Sequence, residues 1–421
     1  MNVAIIGSGG REHAICSYIK KSNKIDKIYC IPGNAGTDQI ATNINIDIDN
    51  FEQIKTFVAK NNVNLLIIGP EKPLVYGLVD YLKNVNIKIF GPNVKASQLE
   101  GSKIFTKEIC KEYKIPTAKF GIFKNLSSAK KYLKKSKYPI VIKADGLAAG
   151  KGVYICETET LATNSIKEIF KGKFGKAEKV LIEEFLHGEE MSYFIITDGK
   201  TVKRFETAQD HKRVFENDKG KNTGGMGAYS PSRLINDELD QKILDKIINP
   251  TLRALKDRNI TYQGFLYAGL MIVDNEPYLI EYNVRMGDPE CQTILPKLKT
   301  DLLEIIMSCV SNKLKKQTIE WHNDNSICIV LCAKGYPEKF KKNIIINNLD
   351  LLNLNSKNFC FHAGTKKTGN KIKSNGGRVL NFVSISKDLK TARDKILKNL
   401  KILNWDKGHY RKDIGYKVID K

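Results

Sequence analysis

The sequence has few arginines relative to its charge. Of its 69 basic residues only ten are Arg, although the formal net charge is +23. A nucleic-acid-binding surface usually concentrates Arg and aromatic side chains, whereas the lysines here are spread along the whole chain. We therefore expect no specific nucleic-acid partner. Local basic sites are better explained by small anionic substrates.

The sequence also lacks paired cysteines and long apolar runs. Its nine cysteines are scattered from Cys16 to Cys360 without a C-x-x-C pair, which predicts reduced, mostly buried thiols rather than disulfides or zinc. No apolar run reaches the roughly 18 residues of a membrane span. The first residues enter a predicted strand at once, with no charged leader or cleavage site, so we expect a cytoplasmic protein. The expected assembly is a monomer or a weak dimer.

The first hundred residues alternate between apolar strands and helices. Strands are predicted at 3–6, 28–31, 65–68 and 87–90, with helices near 11–21, 51–60 and 75–83. This alternation predicts a doubly wound parallel sheet. With 421 residues, the chain has room for two to four folding units.

Polar loops follow three of these strands, at 7–13, 32–37 and 69–73. Ligands bind outside the carboxyl ends of such strands, so the three loops should line one crevice. A dinucleotide site is disfavoured, because Glu12 replaces the last glycine of G-x-G-x-x-G and the second strand ends at Pro32 without an acidic residue. A single phosphate at a helix start fits better.

A second glycine-rich loop follows the apolar strand at 139–142. It begins at Lys143 and runs through Gly146 and Gly150 to Lys151 and Gly152. Glycines let backbone amides approach phosphate oxygens, and lysine supplies positive charge. The loop lacks the Walker A spacing. We therefore expect ATP to bind by another scheme.

The third signal lies in a predicted hairpin, formed by strands at 265–273 and 277–283 around the turn residues Asp274 and Asn275. Along its second strand Glu281, Asn283 and Arg285 alternate. Residues two apart project from one face of a strand. Carboxylate and amide oxygens suit Mg²⁺ or Mn²⁺, and the arginine can stabilise a transferring phosphoryl group. The alternative is an edge strand with a solvated polar face. The Lys143 loop and the residues Gly287-Asp288-Pro289-Glu290 favour the metal site.

Taken together, these motifs resemble the ATP-grasp superfamily and, within it, the phosphoribosylamine–glycine ligase family. The resemblance extends from the Gly7 loop to residues 411–415. It rests on GGREHA at 9–14, PGNAGT at 32–37, GSKxFTK at 101–107, IKADGLAAGKGV at 142–153, EEFLxGEE at 183–190, QDHKR at 209–213 and NTGGMGAYSP at 222–231.

The resemblance implies an α/β fold in three parts. A pre-ATP-grasp doubly wound parallel sheet at 1–100 precedes an ATP-grasp domain at 101–324, which includes a mobile lid at about 122–192. A small α+β domain at 325–421 ends the chain. The implied reaction joins glycine to 5-phosphoribosylamine with ATP, through glycyl phosphate, in purine biosynthesis. It yields glycinamide ribonucleotide, ADP and phosphate.

The residue patterns and the resemblance together give the candidate site residues. ATP would contact Lys103, Lys143, Gly146, Gly150, Lys151, Gly152, Glu183, Glu184, Phe185, Leu186 and Glu190. Catalysis would involve Lys143, Asp210, Arg285 and Asp288, and the metal would be held by Glu281 and Asn283. The other substrates would contact Gly9, Gly10, Arg11, Glu12, His13, Pro32, Gly33, Asn34, Gly36, Thr37, Glu71, Arg213, Thr223, Gly224, Gly225, Met226 and Glu290.

Several alternatives remain open at this point. The alternative role of His13 is only to cap or pack at its helix start. The alternative for Lys151 is a solvated side chain, and the alternative for Asp210 is an ion pair with Arg213. The chain also departs from the family pattern at Phe215, where glycine is usual, and at Lys221, where proline is usual. The competing functions are a carboxylase or formyl-transfer enzyme on the same fold and a nucleic-acid-binding protein without ATP turnover.

Overall fold

The computed structural model describes residues 1–147, 152–175 and 177–419. Its first sheet is parallel and five-stranded, with the spatial order Thr42–Asn43, Lys27–Pro32, Asn2–Gly7, Val63–Ile68 and Lys88–Phe90. Val3 and Ile5 pack into one hydrophobic core, whereas Ala4 and Ile6 pack into another. Since both faces are covered, the predicted doubly wound sheet is confirmed.

Helices of this first unit are Gly10–Ile19, Phe51–Lys60, Glu71–Val75 and Leu78–Tyr81, with a 3-10 turn at Thr37–Gln39. The single helix predicted over 75–83 is wrong. It is replaced by two short helices because Gly77 adopts a left-handed backbone with φ of 87°. The short strand Thr42–Asn43 was not predicted.

The central part of the chain contributes two antiparallel four-stranded sheets. The first has the order Phe120–Phe123, Val180–Glu184, Ile140–Ala144 and Val153–Cys156, with the helices Leu126–Leu133 and Glu159–Phe170 packed on a separate core. The second has the order Val202–Arg204, Glu189–Thr197, Gly264–Val273 and Glu276–Asn283. Its last two strands form the predicted hairpin around Asp274 and Asn275, which both have positive φ.

Further helices pack around the second of these sheets and its connections. They are Gln98–Gly101, Lys103–Glu112, Glu290–Ile294, Leu302–Val310 and a continuous run of Asp237–Ile243, the π-helical Leu244–Ile248 and Asn249–Asp257. Short 3-10 turns occur at Leu295–Lys297 and Leu314–Lys316.

The last sheet combines distant parts of the chain. Its order is Gln209–Asp210, Gly227–Ser230, Asn325–Ala333, Arg378–Ser386 and Asn358–His362, and Gly408–His409 pairs with Asn325–Ala333. The helix Leu389–Leu403 packs on it, and Tyr416–Ile419 forms a final helical turn. Two small hairpins are Arg213–Phe215 with Lys219–Asn222, and Thr365–Thr368 with Lys371–Ser374. This sheet therefore draws strands from both sides of the predicted boundary at 325.

All nine cysteines lie among the described residues and are free, and only Cys360 is not fully buried. The predicted buried thiols are therefore confirmed. Within the described ranges, no helix has the length and apolar character that crossing a bilayer requires.

Candidate active site

The predicted metal ligands lie on the strand Glu276–Asn283. Glu281 and Asn283 share one face of this strand, and Gly269 stands opposite Glu281 in the ladder. A Cβ atom at Gly269 would lie 3.3 Å from Cγ of Glu281, so glycine leaves room for the carboxylate. Neither the Glu281 nor the Asn283 side chain bonds to another described residue. Their oxygens are hard donors that fit a divalent cation.

These two donors cannot complete a coordination shell alone. Across residues 1–147, 152–175 and 177–419, no cluster of three or more His, Cys, Asp or Glu side chains is arranged for a metal ion. The remaining ligands of a cation at Glu281 would therefore come from substrate phosphates and water, which is how Mg²⁺ is commonly held beside nucleotides.

Arg285 lies beyond the end of this strand, so the predicted alternation does not reach it. Its Nε is 3.2 Å from the Glu71 carboxylate, and its Nη2 donates to Glu100 over 2.7 Å. The second Glu100 oxygen accepts from the amide of Val284 over 2.8 Å. Burial raises the pKa of Glu100 to about 7, against the attraction of Arg285. Two carboxylates from separate helices thus fix the guanidinium.

Lys143 belongs to a buried charge triad. Its Nζ lies 2.9 Å from one Glu183 oxygen and 3.4 Å from the Ile280 carbonyl, while Lys107 lies 3.2 Å from the other Glu183 oxygen. Burial opposes ionisation of Glu183, but the two ammonium groups outweigh it and hold its pKa below the ordinary value. Lys143 therefore joins the sheet that contains Ile140–Ala144 to the strand Glu276–Asn283, which carries the candidate metal ligands. The predicted contacts omitted Lys107, although it is the second lysine of GSKxFTK.

The start of the phosphate loop is fastened to the helix Lys103–Glu112. The Asp145 carboxylate accepts from the Ser102 hydroxyl over 3.1 Å and from the Ile104 amide over 3.2 Å. Lys103 donates to the carbonyl of Gly146 over 2.9 Å. Gly146 has φ of 88°, a conformation that favours glycine. The loop and the predicted phosphate-binding Lys103 therefore lie together.

The far end of this loop is only partly described. The predicted contacts Gly150 and Lys151 lie outside the described residues, whereas the carbonyl of Gly152 accepts a hydrogen bond from the preceding strand. Of the predicted ATP contacts, Glu184, Phe185 and Leu186 are half-buried at the end of strand Val180–Glu184. The Glu184 carboxylate accepts from the Lys119 amide over 2.8 Å.

A cleft of about 210 Å³ brings together Glu190, Asp210 and Glu281 with Lys212, which was not among the predicted site residues. Lys212 pairs with Glu190, and burial raises the pKa of Asp210 to about 7 against the attraction of Lys212. The alternative pairing of Asp210 with Arg213 is not seen, because Arg213 donates to a backbone carbonyl. Alternation in QDHKR places Lys212 on the face of Asp210, and this was the available signal.

Glu290 lies next to this cleft, in contact with a residue that lines it. It is buried, and its Oε1 lies within hydrogen-bonding distance of the Ser192 hydroxyl at 3.2 Å, which in turn contacts the Tyr267 hydroxyl at 2.9 Å. Ser192 and Tyr267 line the cleft. The residues that line the cleft thus include three carboxylates, from Glu190, Asp210 and Glu281, and one ammonium group, from Lys212. This excess of carboxylates favours a bound cation.

Asp288 lies outside this cleft and organises the neighbouring loops. Its carboxylate accepts from Gln292 over 2.7 Å and from the Arg11 amide over 3.3 Å. Its carbonyl accepts from Arg378 over 2.6 Å, and the same Nη1 donates to the Gly224 carbonyl over 2.5 Å. Arg378 was not predicted, although it follows the glycines at 376 and 377. It joins the last sheet to two predicted loops.

The glycine-rich loop after QDHKR folds back on that motif. The Thr223 hydroxyl donates to the Lys212 carbonyl over 2.8 Å and accepts from the Gly225 amide over 3.0 Å. Gly225 has φ of 113°, which only glycine adopts readily. Met226 is fully buried. The loop therefore supports Lys212 from behind.

Two of the three predicted loops of the first sheet, at 7–13 and 69–73, meet at Glu12. Its carboxylate accepts from the Gly9 amide over 2.7 Å and from Arg11 Nε over 2.6 Å, and a Cβ atom on Gly69 would lie 2.1 Å from it. Arg11 is buried. Glu12 thus bonds to both Gly9 and Arg11, and the contact of these two residues with a phosphate stays a prediction. Gly10 packs directly against Asn381 of the last sheet.

The turn at 32–37 is held by its own side chains. Asn34 Nδ2 donates to the His362 carbonyl over 2.9 Å, and its Oδ1 accepts from the amides of Gly36 and Thr37 over 2.8 and 3.0 Å. His13 Nδ1 accepts from the His362 amide over 2.8 Å, and burial lowers the pKa of His13 to about 3. His13 is thus neutral and packs the first unit against the last, and its contact with a substrate stays a prediction.

Three models of one protein family match successive parts of this chain. Models of the phosphoribosylglycinamide synthetase family match the chain in succession, with the N domain at residues 1–100, the ATP-grasp (A) domain at 101–291 and the C domain at 326–417. The chain belongs to this family. The resemblance inferred from the motifs is confirmed.

Members of the family are similar over the whole chain. The phosphoribosylamine–glycine ligase of Brucella melitensis is 42% identical, covering 100% of this chain and 99% of that protein. The one from Caldanaerobacter subterraneus is 43% identical, covering 99% of each. The crystal structure of the Thermotoga maritima phosphoribosylamine–glycine ligase is 32% identical with a TM-score of 0.87, covering 98% of this chain and 100% of that one.

The ATP-grasp fold extends beyond this family. Biotin carboxylase from Campylobacter jejuni has a TM-score of 0.76 at 16% identity, covering 100% of this chain and 95% of that one. At this identity the likeness shows the fold alone.

Proposed function

We propose that this chain joins glycine to 5-phosphoribosylamine at the expense of ATP, forming glycinamide ribonucleotide, ADP and phosphate in purine biosynthesis. The observation that carries the proposal is the single cleft in which Glu281, Asp210 and Glu190 lie together with Lys212. Membership of the phosphoribosylglycinamide synthetase family supports the choice of substrates.

The reaction proceeds in two steps. A carboxylate is a poor electrophile, so an oxygen of the glycine carboxylate attacks the γ-phosphorus of ATP, giving glycyl phosphate and ADP. The amine of phosphoribosylamine then attacks the acyl carbon, the amide bond forms, and phosphate leaves. Lys143 and Lys103 would contact ATP phosphates. Arg285, which bonds to Glu71 and Glu100, would stabilise the acyl phosphate.

Glu281 and Asn283 would hold Mg²⁺ or Mn²⁺ in this scheme. A divalent cation neutralises phosphate charge during phosphoryl transfer. The support is that both side chains are hard donors without a hydrogen bond to any described residue, and that Gly269 leaves space opposite Glu281.

The ammonium group of glycine fits the carboxylates of the cleft. Asp210 and Glu290 are the proposed partners, and Ser192 and Tyr267 position Glu290. Asp288, predicted to be catalytic, is bonded to Gln292 and lies beside Arg378. We therefore assign it to loop positioning.

The phosphoribosyl group is proposed to bind where the first sheet meets the glycine-rich loop at 223–226. The turn from Pro32 to Thr37 and Glu71 border this region. Gly33, with φ of 75°, and the cis peptide before Pro32 give the turn its shape.

The acyl-phosphate step can be tested by isotope transfer. Glycine labelled with ¹⁸O in its carboxylate should deliver one labelled oxygen to the inorganic phosphate, detected by phosphorus NMR. Formation of AMP and pyrophosphate, or unlabelled phosphate, would contradict the scheme. Bicarbonate-dependent ATP cleavage without glycine would favour a carboxylase.

A further inference from the structure

The last residues of the chain enclose a buried arginine. Arg411 has no exposed surface. Its Nε and Nη2 donate to the two oxygens of Asp413 over 2.8 and 2.7 Å, and its Nη1 donates to Asp218 over 2.7 Å. A planar guanidinium can bridge two carboxylates in this way, whereas a lysine ammonium cannot reproduce the fork.

These contacts join the chain terminus to the hairpin Arg213–Phe215 with Lys219–Asn222. Arg411 Nη1 also donates to the carbonyl of Arg213 over 3.0 Å, and Asp413 accepts from the Asn217 amide over 2.8 Å. The Gly415 amide donates to Nε2 of His211 over 3.2 Å. The terminal segment thus contacts both the hairpin and the QDHKR motif.

The same motif carries Asp210 and Lys212 into the cleft. The strand Gln209–Asp210 has only two residues, and after it His211 donates to the Gly227 carbonyl and accepts from the Met226 amide, both over 2.8 Å. Next along the chain, the Lys212 carbonyl accepts from the backbone amide of Thr223 over 2.7 Å, in addition to the bond from the Thr223 hydroxyl. Lys212 therefore lies between a very short strand and a hairpin whose far side is held by Arg411.

Two departures from the family pattern also lie in this hairpin. The Phe215 ring packs edge-on against His409 with centroids 5.6 Å apart, and Lys221 pairs with Glu338. Both contacts reach the part of the chain after residue 325, as do those of Arg411. The hairpin is therefore supported mainly by that part of the molecule.

We propose that Arg411 is a positioning residue for the glycine site. Acting through the Arg213 carbonyl and through Asp218, it holds the hairpin that aims Asp210 and Lys212 into the cleft. The inference rests on the proposed function, because glycine is the substrate assigned to Asp210. A purely structural role would change stability without separating the substrates.

The test compares Arg411→Lys, which keeps the charge but loses the fork, with Lys412→Met, an exposed neighbour. We expect Arg411→Lys to raise the KM for glycine by about tenfold or more while the KM for ATP stays within about twofold. Lys412→Met should match the unchanged protein. A folded Arg411→Lys with an unchanged KM for glycine, or with the KM values for all substrates raised together, overturns the inference.

A milder variant covers the case in which Arg411→Lys does not fold. Tyr416→Phe removes one hydrogen bond to Asp218, 3.0 Å long, and leaves Arg411 in place. Its KM for glycine should rise roughly two- to threefold with an unchanged KM for ATP. No change for glycine in this variant then contradicts the proposal.

Hydrogen exchange separates this inference from the proposed function. In Arg411→Lys, or in Tyr416→Phe if the first does not fold, the amides of Thr223 and Met226 should exchange faster than in Lys412→Met, whatever the substrates are. If the unchanged protein shows no glycine-dependent turnover, the proposed function fails, and exchange alone decides the role of Arg411. If the amides of Thr223 and Met226 exchange in the tested variant as they do in Lys412→Met, the proposed role of Arg411 is overturned.

Discussion

Glu281 is the carboxylate whose loss should reduce activity most for the least loss of stability. Its side chain bonds to no described residue, so it adds little to the fold. We expect Glu281→Gln to lower turnover by at least about a hundredfold, the scale of removing one electrostatic stabiliser, with an unchanged melting temperature. Glu276→Gln, on the same strand and paired with Lys242 and Lys246, is the control. Full activity of Glu281→Gln at saturating Mg²⁺ would exclude it as the principal ligand.

Asp210 should make glycine binding dependent on pH. Burial raises its pKa to about 7, so it becomes protonated as the pH falls below that value and no longer attracts an ammonium group. We expect the KM for glycine to rise below about pH 7 when kcat/KM is measured from about pH 5.5 to about pH 8.5. Asp210→Asn should bind glycine weakly at every pH. A pH-independent KM in the unchanged protein would rule out this role.

The same group has the opposite effect on stability. Because the folded state keeps the proton up to a higher pH than the unfolded state, the contribution of Asp210 to the free energy of unfolding falls as the pH rises from the ordinary Asp value to about 7. Urea unfolding of Asp210→Asn should lack this part of the pH dependence.

At the scale of single helices and strands, sequence patterns predicted the features that depend on neighbouring residues. The hairpin at Asp274 and Asn275 was predicted from its turn residues and is confirmed. Alternation placed Glu281 and Asn283 on one face correctly, but it misplaced Arg285, because the strand ends at Asn283. A hydrogen bond to Glu100, 185 residues away, orients Arg285, and no local pattern reports such a partner.

The helix Gly10–Ile19 offers a test of packing between units. A Cβ atom at residue 10 would lie 2.2 Å from Asn381 Nδ2 and 2.5 Å from Gln292 Nε2. We expect Gly10→Ala to lower the free energy of unfolding by about 1–3 kcal/mol, the usual cost of overpacking. Urea denaturation measures this, with Lys20→Ala at the exposed end of the helix as the control. An unchanged free energy of unfolding would mean that the Asn381 and Gln292 side chains move aside without a measurable cost.

For the whole molecule, the order of the three units along the chain was predictable from the sequence, but the contacts between these units were not. Motifs along the chain indicated three units and one reaction. The last sheet, however, pairs Gly227 with Ile329, and strands so far apart in sequence leave no local signal of their pairing. Lys107 and Lys212 were missed for a different reason. In a chain with 69 basic residues, a single lysine carries little information until its carboxylate partners are known.

The most direct test of the central claim is ADP release with each substrate omitted in turn. The protein should release ADP and phosphate in equal amounts only when ATP, glycine, phosphoribosylamine and a divalent cation are all present, and bicarbonate should not replace glycine. ADP release that is independent of glycine, or AMP as the product, would contradict the account.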